Sequence, residues 1–181
     1  PHAEWNPVEH GFDAGTIQIS FCPLRYLQRV RRKIERQPLL GPLVRRMIHK
    51  PLYVHSYRES IPGFTKRNVA WEYYPTVLPN WDNTPRSGRD GVVLAGSTPE
   101  LFRLHLREAV AAASRYDEDR RIIFVKSWNE WAEGNHLEPD RESGHAYLEV
   151  LRDEIAVTCP TAQPARSATH SSAGILTSHM A

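Results

Sequence analysis

The sequence predicts an α/β fold in which parallel strands alternate with helices. Short β-prone segments end near residues 20, 78 and 127, and helical patterns lie between them. The segment 121–127 has an unbroken apolar centre, which is typical of a parallel strand covered on both faces. A complete (β/α)8 barrel needs about 250 residues. The chain could therefore be only part of such a barrel, a piece of a longer protein.

The first half of the chain is predicted to hold one strand and a basic helical region. The β-prone, alternating segment 16–20 predicts a strand. A helix follows over about 24–36, because apolar residues recur there at helical spacing. Pro and Gly residues break the chain at 38–42, and a second helix covers about 43–49. The segment 53–60 is interpreted as a short helix.

The second half repeats the alternation more clearly. The predicted order is a strand at 73–78, a loop at 79–86, a helix from about 97 to 116, a strand at 121–127 and a helix at 145–155. Thr98 as N-cap would put Pro99 at the first helical position, and Ser97 as N-cap would put Glu100 at the capping-box position. The small, polar residues 159–181 predict a disordered tail, which leaves 1–158 as one partial barrel domain.

The composition excludes several classes of protein. The net charge is +2 and the pI about 8.7, so no nucleic-acid partner is indicated. The sequence has no run of 18 apolar residues, so no membrane span is predicted. Two cysteines without a CxxC motif favour a reducing, cytoplasmic location over a disulfide framework.

The charge is nevertheless uneven along the chain. Between Arg25 and Lys50, nine Lys or Arg residues accompany a single acid, Glu35. This stretch could contact an anionic surface, such as an acidic glycan, a pyrophosphate-linked lipid or a membrane. The alternative is that the basic residues form the water-facing side of an ordinary amphipathic helix.

Polar and aromatic residues are concentrated in the loops after the last two predicted strands. They are Trp81, Asp82 and Arg86 in the first loop, and Trp128, Asn129, Glu130, Trp131, Glu133 and His136 in the second. Ligands bind at the carboxyl ends of the strands in α/β folds, so we expect these side chains to share one rim. The apolar face of a pyranose stacks on an aromatic ring while its hydroxyls bond to acids and amides. The loops therefore predict a sugar-binding site.

Glu130 and Glu133 are the predicted catalytic residues. One helical turn between them would bring their Cβ atoms to about 5–6 Å. Two carboxylates that close cannot both ionise cheaply, which favours a proton donor beside a base, as glycoside hydrolysis requires. The alternative is that both are loop carboxylates held by backbone N–H groups or by Arg86. Asp82 is likewise either a sugar ligand or the cap of an Asx-turn.

Glu133 and His136 also have the E-x-x-H spacing found in carboxylate metal sites. Gly134, Asn135 and Pro139 disfavour the long helix that such sites use, and the sequence holds one copy of the spacing. HExxH, phosphate-loop and GxGxxG motifs are absent from the sequence. No metal and no cofactor are predicted.

The segments GFDA (11–14), PNWDNTPR (79–86) and SWNEWAEGNHLEPD (127–140) resemble the WbsX-type proteins of polysaccharide biosynthesis. The domain of those proteins is similar to glycoside hydrolase family 99, the endo-α-mannosidases. The order and spacing of the segments match over roughly residues 11–155. The resemblance implies a (β/α)8 barrel, of which this chain would hold the C-terminal portion.

The resemblance also implies roles for the two acids. Glu130 would interact with the sugar 2-hydroxyl and assist its attack on the anomeric carbon. Glu133 would be the general acid/base at the glycosidic oxygen, with retention through an anhydro-sugar intermediate. The sequence departs from the mannosidases at Ala132, where they carry His, and at Asn80, where Gly is expected.

We therefore expect a glycoside hydrolase-like, carbohydrate-active enzyme that acts on glycosidic bonds of a bacterial surface polysaccharide or its precursor. One alternative is a glycosyltransferase of O-antigen or capsule biosynthesis. A nucleotide-sugar donor would need cations or a metal near its phosphates. The rim offers Arg86 but no DxD pair, because Asp117-Glu118-Asp119 precedes its strand. The other alternative is a non-catalytic sugar-binding fragment.

Overall fold

The computed structural model describes residues 6–16, 23–49, 51, 53–66 and 68–158. The α-helices are α1 Tyr26–Glu35, α2 Gly41–Met47, α3 Tyr57–Thr65, α4 Thr84–Ser87, α5 Pro99–Ala113 and α6 Ala146–Thr158. The strands are β1 Ala14–Gly15, β2 Tyr53–Ser56, β3 Glu72–Tyr73, β4 Thr76–Val77, β5 Val92–Ala95, β6 Phe124–Val125, β7 Asn129–Glu130 and β8 Asn135–His136. Short 3-10 helices cover Pro7–His10, Gly88–Asp90, Glu118–Arg120 and Trp131–Glu133.

Three parallel segments lie side by side in chain order. β1 pairs with β3, and β4 pairs with β6. Only Tyr74 and Pro75 separate β3 from β4. The segment 72–77 therefore lies between β1 and β6. Pro75 has no N–H to donate, but its carbonyl accepts the N–H of Phe124 at 3.0 Å. The predicted α/β fold with parallel strands is confirmed, and its closure into a barrel stays a prediction.

The structure differs from the sequence prediction in several of the strands. The segment predicted as a short helix begins with β2, and helix α3 starts only at Tyr57. β5 was not predicted, yet it pairs in parallel with all four residues of β2. The strand predicted over 121–127 is shorter, since only β6 is paired. Residues 17–20 of the predicted first strand and the predicted tail 159–181 lie outside the described residues.

Helix α5 begins as its sequence predicts. The Thr98 hydroxyl accepts the N–H of Leu101 at 3.2 Å, and Pro99 is the first helical residue. Ser97 does not cap the helix, because its hydroxyl contacts the carbonyl of Pro79 and the Tyr147 hydroxyl. This contact joins the start of α5 to the loop that follows β4.

Helices α5 and α6 are held together by charge as well as by apolar contacts. The buried carboxylate of Glu154 on α6 lies 2.7 Å from Arg103 and 2.9 Å from Arg107 on α5. The hydrogen bond from Arg107, with that from Arg103, lowers the pKa of Glu154. The pair forms one wall behind β4 and β6.

Two successive residues at the end of β4, Val77 and Leu78, belong to two different hydrophobic clusters. One cluster contains Val77, Phe102, Leu106, Ala109, Leu137, Tyr147 and Val150. The other contains Tyr57, Ile61, Phe64, Leu78, Trp81 and Leu94. Side chains alternate along an extended chain, so the end of β4 is anchored on both of its faces. The loop that follows therefore starts from a fixed support.

The basic region folds as the two predicted helices, α1 and α2. Its one acid, Glu35, is buried, and its carboxylate accepts hydrogen bonds from Arg31 at 2.7 Å and Arg89 at 3.0 Å. Arg45 on α2 donates to the backbone carbonyl of Glu35 at 3.1 Å. None of the helices in the described parts of the chain has the length and apolar character needed to cross a membrane.

Candidate functional site

The loops after β4 and β6 are fastened directly to each other. The N–H of Asp82 donates to the carbonyl of Glu133 at 3.0 Å. The buried side chain of Asn135 donates to the carbonyl of Asn80 at 2.7 Å, and the Asn80 side chain accepts the N–H of His136 at 2.9 Å. The two loops that the sequence predicts to share a rim are thus in contact. The side chain of Asn80, a residue that departs from the expected Gly, makes one of these contacts.

The segment 127–137 is a small hairpin rather than the predicted loop. β7 and β8 pair antiparallel, with Glu130 opposite Asn135, and a 3-10 turn joins them. The Ser127 hydroxyl accepts the N–H of Glu130 at 3.2 Å and donates to the carbonyl of Asn135 at 2.7 Å. The N–H of Leu137 donates to the carbonyl of Trp128 at 2.9 Å. These bonds fix the backbone that carries both glutamates.

Gly134 makes the contact between the loops possible. Its φ of +50° lies in the left-handed region, which side chains other than Gly rarely adopt. A Cβ atom at this position would lie 2.6 Å from the carbonyl oxygen of Asp82. A glycine is therefore required both by the turn and by the approach of the neighbouring loop.

Glu133 is the enclosed member of the carboxylate pair. Its side chain is 22% exposed and lies between two cations, with Arg86 at 3.4 Å and Lys126 at 3.9 Å. Lys126 belongs to the end of the β6 segment, and its ammonium also lies 5.0 Å from the ring centre of Trp81. Lys126 is not among the site residues predicted from the sequence, although its position directly after an apolar strand was the available signal.

Glu130 is the exposed member of the pair. It precedes the 3-10 turn Trp131–Glu133, so one helical turn does separate the two glutamates, as the sequence prediction required. Residues three apart eclipse each other in this type of helix. Within the described ranges, no ion pair or side-chain hydrogen bond involves the Glu130 carboxylate.

The tryptophans of the two loops have different surroundings. Trp128 and Trp131 are about half exposed, whereas Trp81 is 5% exposed and packs in a core cluster. Trp131 stacks on His136, with ring centres 3.8 Å apart and planes within 15°. Trp81 is therefore packed rather than open to a ligand, and its predicted substrate contact stays a prediction. Asn129, also a predicted contact, is exposed at the start of the hairpin.

Asp82 and Arg86 are held by contacts within and between the loops. The Asp82 carboxylate accepts the N–H of Thr84 at 2.9 Å and the Thr84 hydroxyl at 2.6 Å, which is the Asx-turn that the sequence left as an alternative. Arg86 lies one turn further on in α4 and pairs with Glu133, the other contact that had been left open. Their binding of substrate stays a prediction.

The E-x-x-H spacing does not bring Glu133 and His136 to a common ligand position. Glu133 contacts cations, while His136 Nε2 lies 3.1 Å from the Asp140 carboxylate. The part of the chain that the structure describes contains no group of three or more His, Cys, Asp or Glu residues able to hold a metal ion.

Comparison with known proteins gives three similarities. The model of a family described as glycosyltransferase WbsX matches residues 2–151. Two relatives, each called uncharacterized protein WxcX, come from two strains of Xanthomonas campestris pv. campestris and are 37% identical over 104 residues. That match covers 56% of this chain but 15% of each relative, so the chain spans only a small part of their length.

A solved structure titled glycoside hydrolase-like protein is also similar. It is 21% identical, with a TM-score of 0.35. The match covers 54% of this chain and 29% of that protein.

Proposed function

Because the chain belongs to the WbsX glycosyltransferase family, we propose that the loops after β4 and β6 form the sugar site of a carbohydrate-active enzyme. The site would act on glycosidic bonds of a bacterial surface polysaccharide or its precursor. The observation that carries the proposal is the carboxylate pair. Glu133 lies between two cations at the end of β6, and Glu130 is exposed one 3-10 turn away. An exposed tryptophan lies between the two glutamates in the chain.

The enclosed position of Glu133 suits a general acid. In this proposal Glu133 gives its proton to the glycosidic oxygen as the bond to the anomeric carbon breaks. Arg86 and Lys126 flank this carboxylate and would offset the negative charge that forms on Glu133 in the transition state.

The exposed position of Glu130 suits a group that meets the sugar directly. Glu130 would take the proton of the sugar 2-hydroxyl, whose oxygen closes on the anomeric carbon. Water would then attack the anomeric carbon of the anhydro-sugar and break its bond to the 2-oxygen, with Glu133 accepting a proton from that water and Glu130 returning its proton to the 2-oxygen. The net reaction is hydrolysis with retention, and both carboxylates return to their starting states.

Glycosyl transfer is the second candidate, favoured by a specific observation as well as by the family description. Arg86 and Lys126 place two cations on the same carboxylate, where a donor diphosphate could replace it. The acidic Asp117-Glu118-Asp119 segment lies just before β6, at the opposite end of the strand from the site. This acidic segment therefore could not bind the metal ion of a donor diphosphate at the site.

The basic helices α1 and α2 have a proposed role of their own. Leu39 is 91% exposed and Leu27 is 77% exposed, and Arg29, Lys33 and Arg46 are also exposed. Apolar side chains interleaved with cations suit the headgroup region of an anionic membrane. We propose that this surface contacts anionic lipid.

The sugar-site proposal is tested by Glu133→Gln, with Glu149→Gln, which changes an exposed glutamate on α6, as the matched control. Hydrolysis is measured as reducing ends released from a panel of bacterial surface polysaccharides. Transfer is measured as label incorporated from UDP- and GDP-sugars. We expect Glu133→Gln to lower turnover by about 10²- to 10⁴-fold, as loss of an acid/base does. The control should keep wild-type turnover.

The two assays also separate the candidates. Activity in the first alone supports hydrolysis, and activity in the second alone supports transfer. Full turnover by the Glu133→Gln protein would remove the acid/base assignment. A wild-type chain that binds glycan but turns over nothing in either assay would favour the non-catalytic alternative.

A further inference from the structure

The indole of Trp131 is held in one orientation although half of its surface is exposed. The imidazole of His136 covers one face at a centre-to-centre distance of 3.8 Å. The indole N–H donates to the Glu138 carboxylate at 2.7 Å. Trp131 is 49% exposed, and its contacts with His136 and Glu138 cover one face and bond one edge.

The imidazole behind Trp131 is itself fixed. His136 Nε2 lies 3.1 Å from the Asp140 carboxylate, and both side chains are mostly enclosed. Backbone N–H groups of Ser143 and Glu142 donate to the other oxygen of Asp140. Hydrogen bonding, first from Ser143, lowers the pKa of Asp140, so this anion persists in mildly acidic solution. The stacked rings of Trp131 and His136 are therefore held by Asp140, which backbone N–H groups of the same loop fix in turn. This arrangement of His136 and Asp140 supports the indole.

An open cavity of about 710 Å³ lies beside this support. Its lining residues are Trp131, His136, Pro139, Asp140, Arg141 and Glu142. An aromatic face bordered by carboxylates and a guanidinium is the combination that binds a hexose, because the ring C–H groups lie on the aromatic face while the hydroxyls reach the charged rim.

We propose that Trp131 and the 138–142 loop form a preformed subsite for one pyranose residue of a glycan. The inference rests on the proposed function and deepens it, since it names a ring-stacking position beside the carboxylate pair. Trp131 lies in the 3-10 turn, between Glu130 and Glu133 in the chain. A pyranose on its free face would therefore lie next to the sugar whose glycosidic bond is cleaved. His136, Glu138 and Asp140 are positioning residues, because they act through the orientation of Trp131.

The test is affinity, measured without turnover. Methyl α-glucopyranoside, methyl α-mannopyranoside and methyl α-galactopyranoside are titrated into the chain and followed by ligand-observed NMR. We expect Trp131→Ala to weaken binding about tenfold or more, and Trp131→Phe to weaken it less because a ring remains. Tyr26→Ala removes an aromatic side chain on α1 that is more exposed than Trp131 and should leave affinity unchanged.

The positioning role has a separate signature. His136→Ala should weaken binding and also reduce the near-ultraviolet circular dichroism of the stacked indole. His136→Phe restores a ring behind Trp131 without the Asp140 contact, so it should recover most of both signals. A purely structural role for His136 would not be rescued in this way.

The result that overturns the subsite is distinct from the result that overturns the enzyme. Trp131→Ala binding all three glycosides like the wild type, or the wild type binding none of them, removes the subsite. The loss of turnover in Glu133→Gln would still support the sugar-site proposal. Conversely, weakened binding in Trp131→Ala together with full turnover in Glu133→Gln would keep the subsite and remove the acid/base assignment.

Discussion

The hairpin 127–137 and the helix pair α1–α2 both expose apolar or aromatic groups next to charge, but they are held in different ways. The hairpin is fixed by hydrogen bonds to its backbone: Ser127 bonds across the hairpin, and the contacts of Asn135 and His136 with Asn80 join it to the neighbouring loop. The ion pairs of α1–α2 converge on Glu35. Hydrogen bonds to the backbone suit a site whose geometry must persist. Ion pairs to one buried acid, here called charge fastening, leave the outer surface of α1–α2 free to contact a partner.

The difference predicts where a small change does most harm. Gly134→Ala puts a Cβ 2.6 Å from the Asp82 carbonyl and forces Ala into the left-handed region. The backbone conformation costs about 1–2 kcal/mol, and the overlap adds about 1–3 kcal/mol. We expect the free energy of unfolding to fall by about 3 kcal/mol, measured by urea denaturation, and any sugar binding to be lost.

Gly11→Ala provides the control for this substitution. Gly11 has a φ of +82°, but a Cβ there meets nothing within 4 Å. It should cost about 1 kcal/mol, the conformational part alone. Equal losses in the two variants would mean that the contact with Asp82 is unimportant and that the loops are not tightly fastened.

The second prediction concerns the helix pair. Glu35→Gln leaves Arg31 and Arg89 without their shared anion, and the side chains of these arginines are only 16% and 29% exposed. We expect a loss of about 2 kcal/mol, below the cost of breaking a fully buried pair because water still reaches both arginines. Trypsin should cut faster after Arg36 and Arg45.

Glu149→Gln, which alters an exposed carboxylate on α6, should leave both stability and proteolysis unchanged. If Glu35→Gln behaves the same way, the helix pair is held by its other contacts, such as the Gln28 side chain on the Val54 carbonyl at 2.8 Å. The contrast with the hairpin would then disappear.

The two regions also differ in what their sequences could predict. The gathering of the loops after β4 and β6 followed from a general rule about parallel strands, and the Thr98 cap followed from local chemistry. β5 was not predicted because the four residues between Gly91 and Gly96 are too few to show a periodic pattern. Its pairing with β2 is also non-local in sequence.

Within the site, the sequence indicated residue types but not which faces are exposed. Trp81 and Trp131 both occupy loops rich in polar residues, yet one packs against Leu78 and Leu94 and the other stacks on His136. For Trp81 the partners include Tyr57, Ile61 and Phe64 of α3, which lie far away in sequence. For Trp131, the contacts with His136 and Glu138 depend on the hairpin. The Gly and Asn content of this segment predicts a loop instead. Lys126 was missed for a similar reason, since its contact with Glu133 requires the hairpin to fold back.

The smallest expected effect belongs to the surface of α1–α2. Arg29 and Lys33 are four residues apart and exposed, so they lie on the same face of α1. Each cation near an anionic bilayer contributes about 1 kcal/mol. Lys33→Ala should therefore weaken binding to vesicles containing phosphatidylglycerol about fivefold, and Arg29→Ala/Lys33→Ala about thirtyfold. Co-sedimentation measures both.

Arg152→Ala removes an exposed cation on α6 and is the matched control, which should bind vesicles like the wild type. Binding should fall as salt rises and be weak on phosphatidylcholine alone, because the attraction is electrostatic. Leu39→Ser should weaken binding without changing its dependence on salt, since it removes apolar insertion and not charge. If the double variant binds as the wild type does, the cations of α1 form only a solvated helix face. The charge fastening at Glu35 would then serve the fold alone.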